Sequence, residues 1–265
     1  MTDILAELTE MRRRDAERRE RDIPFAEMMR RAAAAPAPRD MMAKLSLASS
    51  PRVIAELKKA SPSEGLIRRD FRPADLAREL AAAGAAALSV LCEPHRFLGG
   101  EDYLAEARAA VDIPILYKDF VSTRYQVAAA RAAGADAVLL IAAVLDDASL
   151  GELLGFAHDL GLASLVETHN AREIDRAVRA GARIVGVNCR DLRDFSTDVS
   201  LLETLVWRIP RPCLRIAESG MHTADDIRRA HAAGADGFLV GTALMRAERP
   251  GEALAKLLSE NGTTK

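Results

Sequence analysis

A short pattern that recurs four times constrains the fold of this chain more than any other feature of its sequence. In each copy, an Ala-rich, helix-like run ends in a glycine, and an apolar, partly β-branched run follows. The four glycines, spaced about fifty residues apart, are Gly84, Gly134, Gly181 and Gly234. Because glycine commonly follows the last turn of a helix, each copy predicts that a helix ends and a strand begins.

A second strand candidate lies before each copy of the pattern, at residues 53–57, 113–117, 162–166 and 213–217. Eight strands that alternate with eight helical segments predict an α/β fold, specifically a (β/α)8 TIM barrel. The strands lack strict polar–apolar alternation, as expected where both faces of a parallel sheet are buried. A doubly wound open sheet is less favoured, because no GxGxxG follows the first strand and no Walker A sequence occurs.

Several helix starts are also marked in the sequence. Asn170 precedes Glu173 by three residues and Thr223 precedes Asp226 by three, a spacing typical of capping boxes. Ser122 is predicted to cap the helix that runs to residue 133.

Residues 1–50 precede the first strand and are interpreted as an N-terminal helical extension, and residues 51–265 as a single barrel domain. Residues 11–31 are crowded with Arg, Asp and Glu and predict an exposed, charged helix. Residues 32–38 predict a linker and residues 39–49 a short helix. Acidic and basic side chains interleave in this segment, so a nucleic-acid-binding arm is not favoured.

Composition narrows the classes of function. A net charge of −2 and an aromatic share of 4% argue against nucleic acid or a membrane surface as partner. No signal peptide and no membrane-spanning run is expected. The cysteines Cys92, Cys189 and Cys213 are far apart, which is typical of a cytoplasmic protein. The histidines show no HExxH spacing, so no metal is expected.

Charged side chains stand at the ends of the predicted strands, where (β/α)8 barrels carry their chemistry. Glu56 and Lys58 end the first strand and, being two residues apart, point to the same face. Burying such a pair costs desolvation free energy that folding alone rarely requires. Other predicted strands end in further charged or amide residues, namely Lys118, Glu167, Asn188 followed by Arg190, and Glu218.

Small residues follow the last two predicted strands, Ser219-Gly220 after the seventh and Gly241-Thr242 after the eighth. At this place (β/α)8 barrels commonly bind phosphate through backbone N–H groups and a helix N-terminus. Glycine has no side chain to keep the phosphate oxygens away. A small phosphorylated substrate is therefore expected.

With these residues in place, the chain resembles the indole-3-glycerol-phosphate synthase family over nearly its whole length. The matching motifs are IAELKKASPSEG (54–65), SVL followed by FLGG (89–100), PILYKDF (114–120), ADAVLLIAAVL (135–145), LVETHN (165–170), GVNCRDL (186–192), AESGM (217–221) and FLVGTALM (238–245). The resemblance implies a decarboxylating lyase of tryptophan biosynthesis. Its substrate would be 1-(2-carboxyphenylamino)-1-deoxyribulose 5-phosphate, and its products indole-3-glycerol phosphate, carbon dioxide and water, with no cofactor or metal.

The resemblance also implies roles for individual residues. Lys118 would be the general acid that activates the ribulose carbonyl, and Glu167 would handle a proton during dehydration. Glu56 and Lys58 would position and protonate the departing oxygen. Asn188, counted with this catalytic group, would hold the substrate together with Arg190 and Ser61. The other implied contacts are Glu218 at the sugar chain, Phe97, Phe120 and Leu192 at the aromatic ring, and Ser219, Gly220, Gly241 and Thr242 at the phosphate.

Chemistry gives independent reasons for this set. Carbon–carbon closure on a carbonyl needs a proton donor, and a lysine whose pKa is lowered by nearby cations would suit the role of Lys118.

Two places depart from the family pattern, Cys92-Glu93 after the second strand and Cys189 after the sixth. Cys189 is expected to be buried outside the site and unreactive. His169 is expected near the rim, in contact with solvent or a loop.

Two other functions remain open. A sugar-phosphate barrel enzyme such as a phosphoribosyl isomerase, an aldose–ketose isomerase, would not need Lys118 together with Glu56 and Lys58. A non-catalytic binder of a phosphorylated ligand would gain little from buried acids.

Residues 1–50 are expected to cover the rim, so that a chain without residues 1–45 would fold but bind substrate poorly. A monomer is preferred, because no exposed apolar stripe is evident.

Overall fold

The structure, a computed structural model, describes residues 4–46, 51–191 and 196–260. Within them, eight parallel strands close into a barrel in which chain neighbours are sheet neighbours and the first strand pairs with the eighth. The strands are β1 (Arg52–Leu57), β2 (Ala87–Leu91), β3 (Ile115–Lys118), β4 (Ala137–Ile141), β5 (Ala163–Thr168), β6 (Ile184–Asn188), β7 (Leu214–Glu218) and β8 (Gly237–Val240). The predicted (β/α)8 TIM barrel is confirmed, and the open sheet is wrong.

Three helices precede the barrel: α1 (Ile4–Asp22), α2 (Phe25–Ala34) and α3 (Met41–Ser46). The helices after β1 are α4 (Pro73–Ala82), α5 (Glu101–Ala110), α6 (Arg124–Ala132), α7 (Asp147–Asp159), α8 (Ala171–Arg179), α9 (Leu201–Leu205), α10 (Ala224–Ala232), α11 (Thr242–Arg246) and α12 (Pro250–Ser259). A short hairpin, Ala60–Ser61 with Gly65–Leu66, lies beyond β1. Among the described helices, none is long and apolar enough to cross a membrane.

The repeated glycines end helices, as predicted. Their φ angles are +99° at Gly84, +91° at Gly134, +90° at Gly181 and +97° at Gly234. This left-handed conformation strains any residue with a side chain, which is why glycine recurs at each helix-to-strand turn.

Helix starts agree with the sequence at two of the three predicted places. The side chains of Thr223 and Asn170 accept the N–H groups of the residues three positions later. Ser122 is the wrong cap for α6: Thr123 takes this position, because its hydroxyl accepts from the Gln126 N–H and the Gln126 amide oxygen accepts from the Thr123 N–H. The Gln126 side chain also accepts the Ser122 N–H, so both residues belong to the same turn.

Apolar side chains form two layers, as the pleat of a closed barrel requires. In β1, Ile54 belongs to the cluster inside the barrel, whereas Val53 and Ala55 belong to the cluster between strands and helices. The inner cluster also includes Leu116, Leu139, Leu165, Ile216 and Leu239. Because these side chains are buried, the strands hold their carboxyl ends in fixed positions.

The segment before β1 contacts both ends of the barrel. In α1, Leu5 and Leu8 are buried in the same cluster as Phe120, at the carboxyl ends of the strands. Helix α2 packs along α6. In α3, Met41 and Leu45 are buried against the inner cluster, beside the amino ends of the strands.

Residues 11–31 do not form one exposed helix, so that prediction is wrong. The chain breaks at Ile23-Pro24, because proline lacks an N–H group and restricts the residue before it. Helix α1 is exposed on one side only, since the side chain of Arg12 is 12% exposed and reaches the barrel. The predicted linker and short helix are present as a loop over residues 35–40 and as α3, and residues 47–49 lie outside the described residues.

Candidate active site

A pocket opens at the carboxyl ends of the barrel strands. It is lined by every predicted site residue that the structure describes: Glu56, Lys58, Ser61, Phe97, Lys118, Phe120, Glu167, Asn188, Arg190, Glu218, Ser219, Gly220, Gly241 and Thr242. Leu192, the remaining predicted residue, lies outside the described residues. The fold therefore brings groups from distant parts of the chain into one cavity.

Lys118, the last residue of β3, lies among carboxylates. Its Nζ is 2.9 Å from Oε2 of Glu167 and 3.7 Å from Oε2 of Glu218. Burial would lower its pKa, but the negative charges of Glu167, Glu218 and Glu56 raise this pKa above its ordinary value. The expectation that nearby cations lower the pKa of this lysine is wrong. Lys118 is protonated at neutral pH and able to donate a proton.

The two carboxylates beside Lys118 differ in protonation. Burial raises the pKa of Glu218 to about 8, and the negative charge of Glu167 adds to the effect. Burial acts on Glu167 in the same sense, but Lys118, His169 and a hydrogen bond from Asn188 lower its pKa to about 2. At neutral pH, one carboxylate is ionised and the other mostly protonated, so the site holds a base and an acid side by side.

Glycines make room for two of the buried carboxylates of the pocket, Glu218 and Glu56. A Cβ atom at Gly186, within β6, would collide with Oε1 of Glu218. A Cβ atom at Gly241 would collide with Oε2 of Glu56. Sequence reasoning missed Gly186, and the available signal was a glycine inside an otherwise apolar strand, which often marks a close approach.

Glu56 and Lys58 point to the same face, as predicted, and their Oε2 and Nζ atoms are 2.7 Å apart. The hairpin that follows carries Ser61 and Ser63. The Ser63 hydroxyl accepts a hydrogen bond from Nη1 of Arg190 at 2.7 Å, which links the loop after β1 to the end of β6. Ser63 was not among the predicted site residues.

Aromatic rings form one wall of the pocket. The ring centroids of Phe97 and Phe120 are 6.2 Å apart. Phe97 is held by Glu93, whose buried carboxylate accepts the backbone N–H groups of His95, Arg96 and Phe97 at 2.7–2.9 Å. Glu93, one of the departures from the family pattern, therefore shapes the loop after β2 and does not line the pocket.

The cysteines beside the site are buried. Burial raises the pKa of Cys189 to about 12 and raises the pKa of Cys92 well above its ordinary value. Neither cysteine lines the pocket. Cys189 is buried outside the pocket, as predicted, and its raised pKa agrees with the prediction that it is unreactive.

The opposite end of the pocket presents backbone groups. Ser219 and Gly220 have φ angles of +64° and +75°. Among the described residues, Leu98 and Ser219 are the ones with a side chain that adopt a positive φ. After β8, helix α11 begins at Thr242, where the first N–H groups have no acceptor within the helix. An anion suits such a surface.

A buried ion pair beside the site was not predicted. Asp119 follows Lys118, and its carboxylate accepts hydrogen bonds from the Arg12 guanidinium at 2.7–3.1 Å and from the Tyr117 hydroxyl at 3.0 Å. Arg12 belongs to α1, 107 residues away in the chain. No local sequence signal indicates a partner at this separation.

His169 was also misplaced by the sequence. Instead of facing solvent or a loop, its side chain is only 18% exposed and lies between Glu167 and Glu173. Its spacing of two residues from Glu167 was the available signal, since residues two apart on a strand share a face.

The fold and this pocket define a (β/α)8-barrel enzyme with its site at the carboxyl ends of the strands. The family model described as indole-3-glycerol phosphate synthase matches residues 5–257. The chain belongs to the indole-3-glycerol phosphate synthase family, and the resemblance drawn from the sequence motifs is confirmed.

Curated relatives carry the same description. The indole-3-glycerol phosphate synthase of Albidiferax ferrireducens is 45% identical over 262 residues, covering 98% of this chain and 99% of the relative. That of Delftia acidovorans is 43% identical over 267 residues, covering 98% and 100%. That of Variovorax paradoxus is 50% identical over 209 residues, covering 77% and 79%.

Solved structures with low sequence identity share the fold. Thiamine phosphate pyrophosphorylase from Pyrococcus furiosus has a TM-score of 0.60 at 18% identity and covers 79% of this chain and 94% of its own. N-acetylmannosamine-6-phosphate 2-epimerase from Clostridium perfringens has a TM-score of 0.60 at 18% identity, covering 77% and 90%. These similarities concern the barrel alone.

Proposed function

We propose that the pocket closes the indole ring of 1-(2-carboxyphenylamino)-1-deoxyribulose 5-phosphate, giving indole-3-glycerol phosphate, carbon dioxide and water in tryptophan biosynthesis. The chain belongs to the family that bears this name. The observation that carries the proposal is the position of Lys118, a protonated amine between an ionised and a protonated carboxyl group. Such a group supplies the proton donor and acceptor that ring closure and dehydration both need.

In the first step, the ring carbon that bears the carboxylate attacks the ribulose carbonyl carbon. Lys118 gives a proton to the carbonyl oxygen as the carbon–carbon bond forms, so that no free alkoxide develops. The substrate carboxylate then leaves as carbon dioxide, and the released electron pair restores the aromatic ring. Neighbouring carboxylates raise the pKa of Lys118 and thereby keep it protonated before the step.

In the second step, the new hydroxyl group leaves as water and a double bond forms. Glu167, whose pKa is lowered to about 2, is ionised and takes the proton that the carbon skeleton loses. Lys58, paired with Glu56 at 2.7 Å, protonates the departing oxygen. The acid directly after β1 and the base in β5 thus act on different atoms of the substrate.

The remaining residues bind the substrate in this proposal. The forked guanidinium of Arg190, with Asn188 and Ser61, suits the substrate carboxylate and hydroxyl groups. Glu218, protonated at neutral pH because burial raises its pKa to about 8, donates a hydrogen bond to the sugar chain. Phe97 and Phe120 hold the aromatic ring at one end of the pocket, and Ser219, Gly220, Gly241 and Thr242 hold the phosphate at the other. Leu192, which lies outside the described residues, is assigned to the aromatic ring from the family resemblance alone.

We assign the N-terminal extension, residues 1–50, to covering the rim of the barrel, residues 51–265. Leu5 and Leu8 of α1 pack in the cluster that contains Phe120 at the pocket wall. An apolar cover there excludes water and strengthens the electrostatic interactions of the charged groups beneath it.

The two alternatives predict other outcomes in solution. A sugar-phosphate isomerase would interconvert an aldose and a ketose phosphate, and a binder would retain a phosphorylated ligand unchanged. Neither accounts for a protonated lysine held 2.9 Å from an ionised carboxylate inside the pocket.

We further propose that the protein acts in the cytoplasm as a monomer. The three cysteines are free, which supports a cytoplasmic location. The large apolar side chains exposed among the described residues are scattered singly, which supports a monomer. Sedimentation equilibrium at several protein concentrations tests the monomer, and a mass that rises with concentration would contradict it.

The test of the function is indole fluorescence after mixing the protein with the carboxyphenylamino-deoxyribulose phosphate. Wild-type protein should develop the signal, and Lys118→Ala should not. Lys59→Ala is the matched control, because Lys59 contacts Tyr103 and does not line the pocket. Signal in Lys118→Ala would move the acid role to Lys58. No signal from folded wild-type protein would overturn the proposed reaction.

A further inference from the structure

The two oxygens of the Glu167 carboxylate face different nitrogen groups. Oε2 lies 2.9 Å from Nζ of Lys118. Oε1 lies 3.5 Å from Nε2 of His169, a buried nitrogen that makes no hydrogen bond among the described residues. Catalytic hydrogen bonds are often long in a site without substrate and shorten when substrate binds, so this unpaired nitrogen is poised toward Glu167.

The other edge of the imidazole is fixed by the first turn of α8. Nδ1 of His169 lies 3.3 Å from Oε2 of Glu173, and the same oxygen accepts the His169 backbone N–H at 2.7 Å. The second oxygen of Glu173 accepts a hydrogen bond from the Asn170 side-chain amide at 2.5 Å. Glu173 is therefore held from both sides, and it orients the ring toward Glu167.

His169 does not line the pocket, so it acts on the substrate only through its neighbour. We propose that His169 is a positioning residue for Glu167, holding Oε1 of that carboxylate from the side opposite Lys118 while the carboxylate accepts a proton. The inference deepens the proposed function, on which it rests, because that function assigns the proton transfer to Glu167.

The charges around the ring agree with this role. The groups that face His169 are Glu167 at the end of β5, Glu173 in α8 and, farther away, Glu218 at the end of β7. Burial would lower the pKa of His169, but the hydrogen bond with Glu173 and the negative charge of Glu167 raise it. A protonated imidazole adds a second cation beside Glu167, and it matches the negative charge that Lys118 leaves unpaired once it has given up its proton.

The kinetic test compares His169→Gln with His158→Gln, which removes an exposed histidine from α7. His169→Gln should lower kcat on the order of tenfold to a hundredfold, because a misplaced base loses near-attack geometry. KM should stay within about twofold, since no substrate contact is removed. His158→Gln should match wild type. An unchanged kcat, or a raised KM with unchanged kcat, would overturn the inference.

A titration separates positioning from a merely structural role and does not depend on activity. The imidazole NMR signal of His169, assigned by its absence in His169→Gln, is followed against pH in wild type and in Glu167→Gln. Loss of the facing carboxylate should lower the pKa of His169, because the negative charge of Glu167 helps to raise it. Glu173→Gln should lower it as well, which keeps the test decisive if His169→Gln folds poorly.

Equal His169 titrations in wild type and Glu167→Gln would overturn the inference even if the enzyme is active. Failure of the wild type to form indole would instead overturn the proposed function. The two failures are therefore read from separate measurements.

Discussion

Buried carboxylates lie at both ends of the barrel, and they differ in how completely they are hydrogen-bonded. At the amino end, Asp136 is 1% exposed and uses both oxygens: Oδ1 accepts the Arg39 N–H at 2.7 Å, and Oδ2 accepts the Ile115 N–H at 2.7 Å and Nη1 of Arg108 at 2.8 Å. At the carboxyl end, Oε1 of Glu218 is buried and makes no hydrogen bond among the described residues.

This difference in hydrogen bonding distinguishes carboxylates that stabilise the fold from carboxylates that are placed to contact a substrate. Asp136 and Asp236 come from the same Gly-Ala-Asp sequence in two copies of the repeat, and each accepts the N–H of a residue at the start of the preceding strand, Ile115 and Arg215. These aspartates fix strand register. A buried oxygen without a partner costs stability, and a pocket that binds a polar ligand is where a protein tolerates that cost.

The largest expected effect is on catalysis. Glu167→Gln should lower kcat by about 10²- to 10⁴-fold, because the amide cannot accept the proton. Stability should change little, since Glu218 can ionise and pair with Lys118 in its place. Steady-state kinetics and urea unfolding measure the two effects, with the exposed Glu152→Gln as control. A kcat near wild type would contradict the assignment of Glu167 as base.

The amino end should respond in the opposite way. Asp136→Ala leaves Arg108 and two N–H groups without their buried partner and should lower the free energy of unfolding by about 3–5 kcal/mol. The kcat of the folded fraction should stay near wild type. Urea unfolding tests this against Asp112→Ala, since Asp112 is 99% exposed and its loss should leave the midpoint unchanged. A large kcat loss in folded Asp136→Ala would remove the distinction between the two ends.

Arg12→Met sharpens the comparison at the boundary between extension and barrel. The substitution removes the positive charge beside the fully buried Asp119 carboxylate. Among the described groups, the Tyr117 hydroxyl and the Phe120 N–H remain as donors, and both are neutral. The free energy of unfolding should therefore fall by about 3 kcal/mol. KM should rise as well, because α1 loosens over the pocket. Arg13→Met, which removes a solvent-facing arginine of α1, is the control for urea unfolding and for KM. Equal effects of the two substitutions would show that the Arg12–Asp119 pair contributes little.

The same contacts change one expectation drawn from the sequence. A chain without residues 1–45 loses Arg12 and Arg39, which bond the buried carboxylates Asp119 and Asp136. We therefore expect the shortened barrel to be strongly destabilised, and not merely to bind substrate poorly. A cooperative unfolding transition at the wild-type midpoint would restore the earlier expectation.

The last expected effect is a pH dependence. Burial raises the pKa of Glu218 from its ordinary 4.5 to about 8, so the folded state keeps this proton where the unfolded chain has lost it. Wild-type stability should therefore fall relative to Glu218→Gln as the pH rises from about 4.5 to about 8. Urea midpoints at pH 5, 6, 7 and 8 measure the difference. A difference that grows in favour of wild type would contradict the raised pKa.

The parts of the site that were predicted from sequence depend on local pattern. The repeated glycines locate the strands, the two-residue pleat sets the common face of Glu56 and Lys58, and barrel topology then gathers the strand ends. Each of these needs only neighbours in the chain and a general rule of folding.

The parts that were missed depend on which distant groups meet. The raised pKa of Lys118 follows from three carboxylates on three other strands, and Arg12 finds Asp119 across 107 residues. The room that Gly186 leaves for Glu218 appears only when β6 and β7 lie side by side. A single sequence carries no record of such pairings.

One face of helix α1 has its ion-pair partners within the helix, and the opposite face has its partners in the barrel. Glu10 pairs with Arg13 and Arg14, within four residues, so these contacts form as soon as the helix does. The opposite face carries Arg12, which bonds Asp119, and Leu8, which lies in the cluster of Phe120, and the ribosome adds both partners much later. We expect α1 to form as a helix when it leaves the ribosome. Its apolar side chains then stay exposed, and able to associate with other chains, until β3 is made. Helix α1, made before any strand of the barrel, is thus among the last elements to reach its final place.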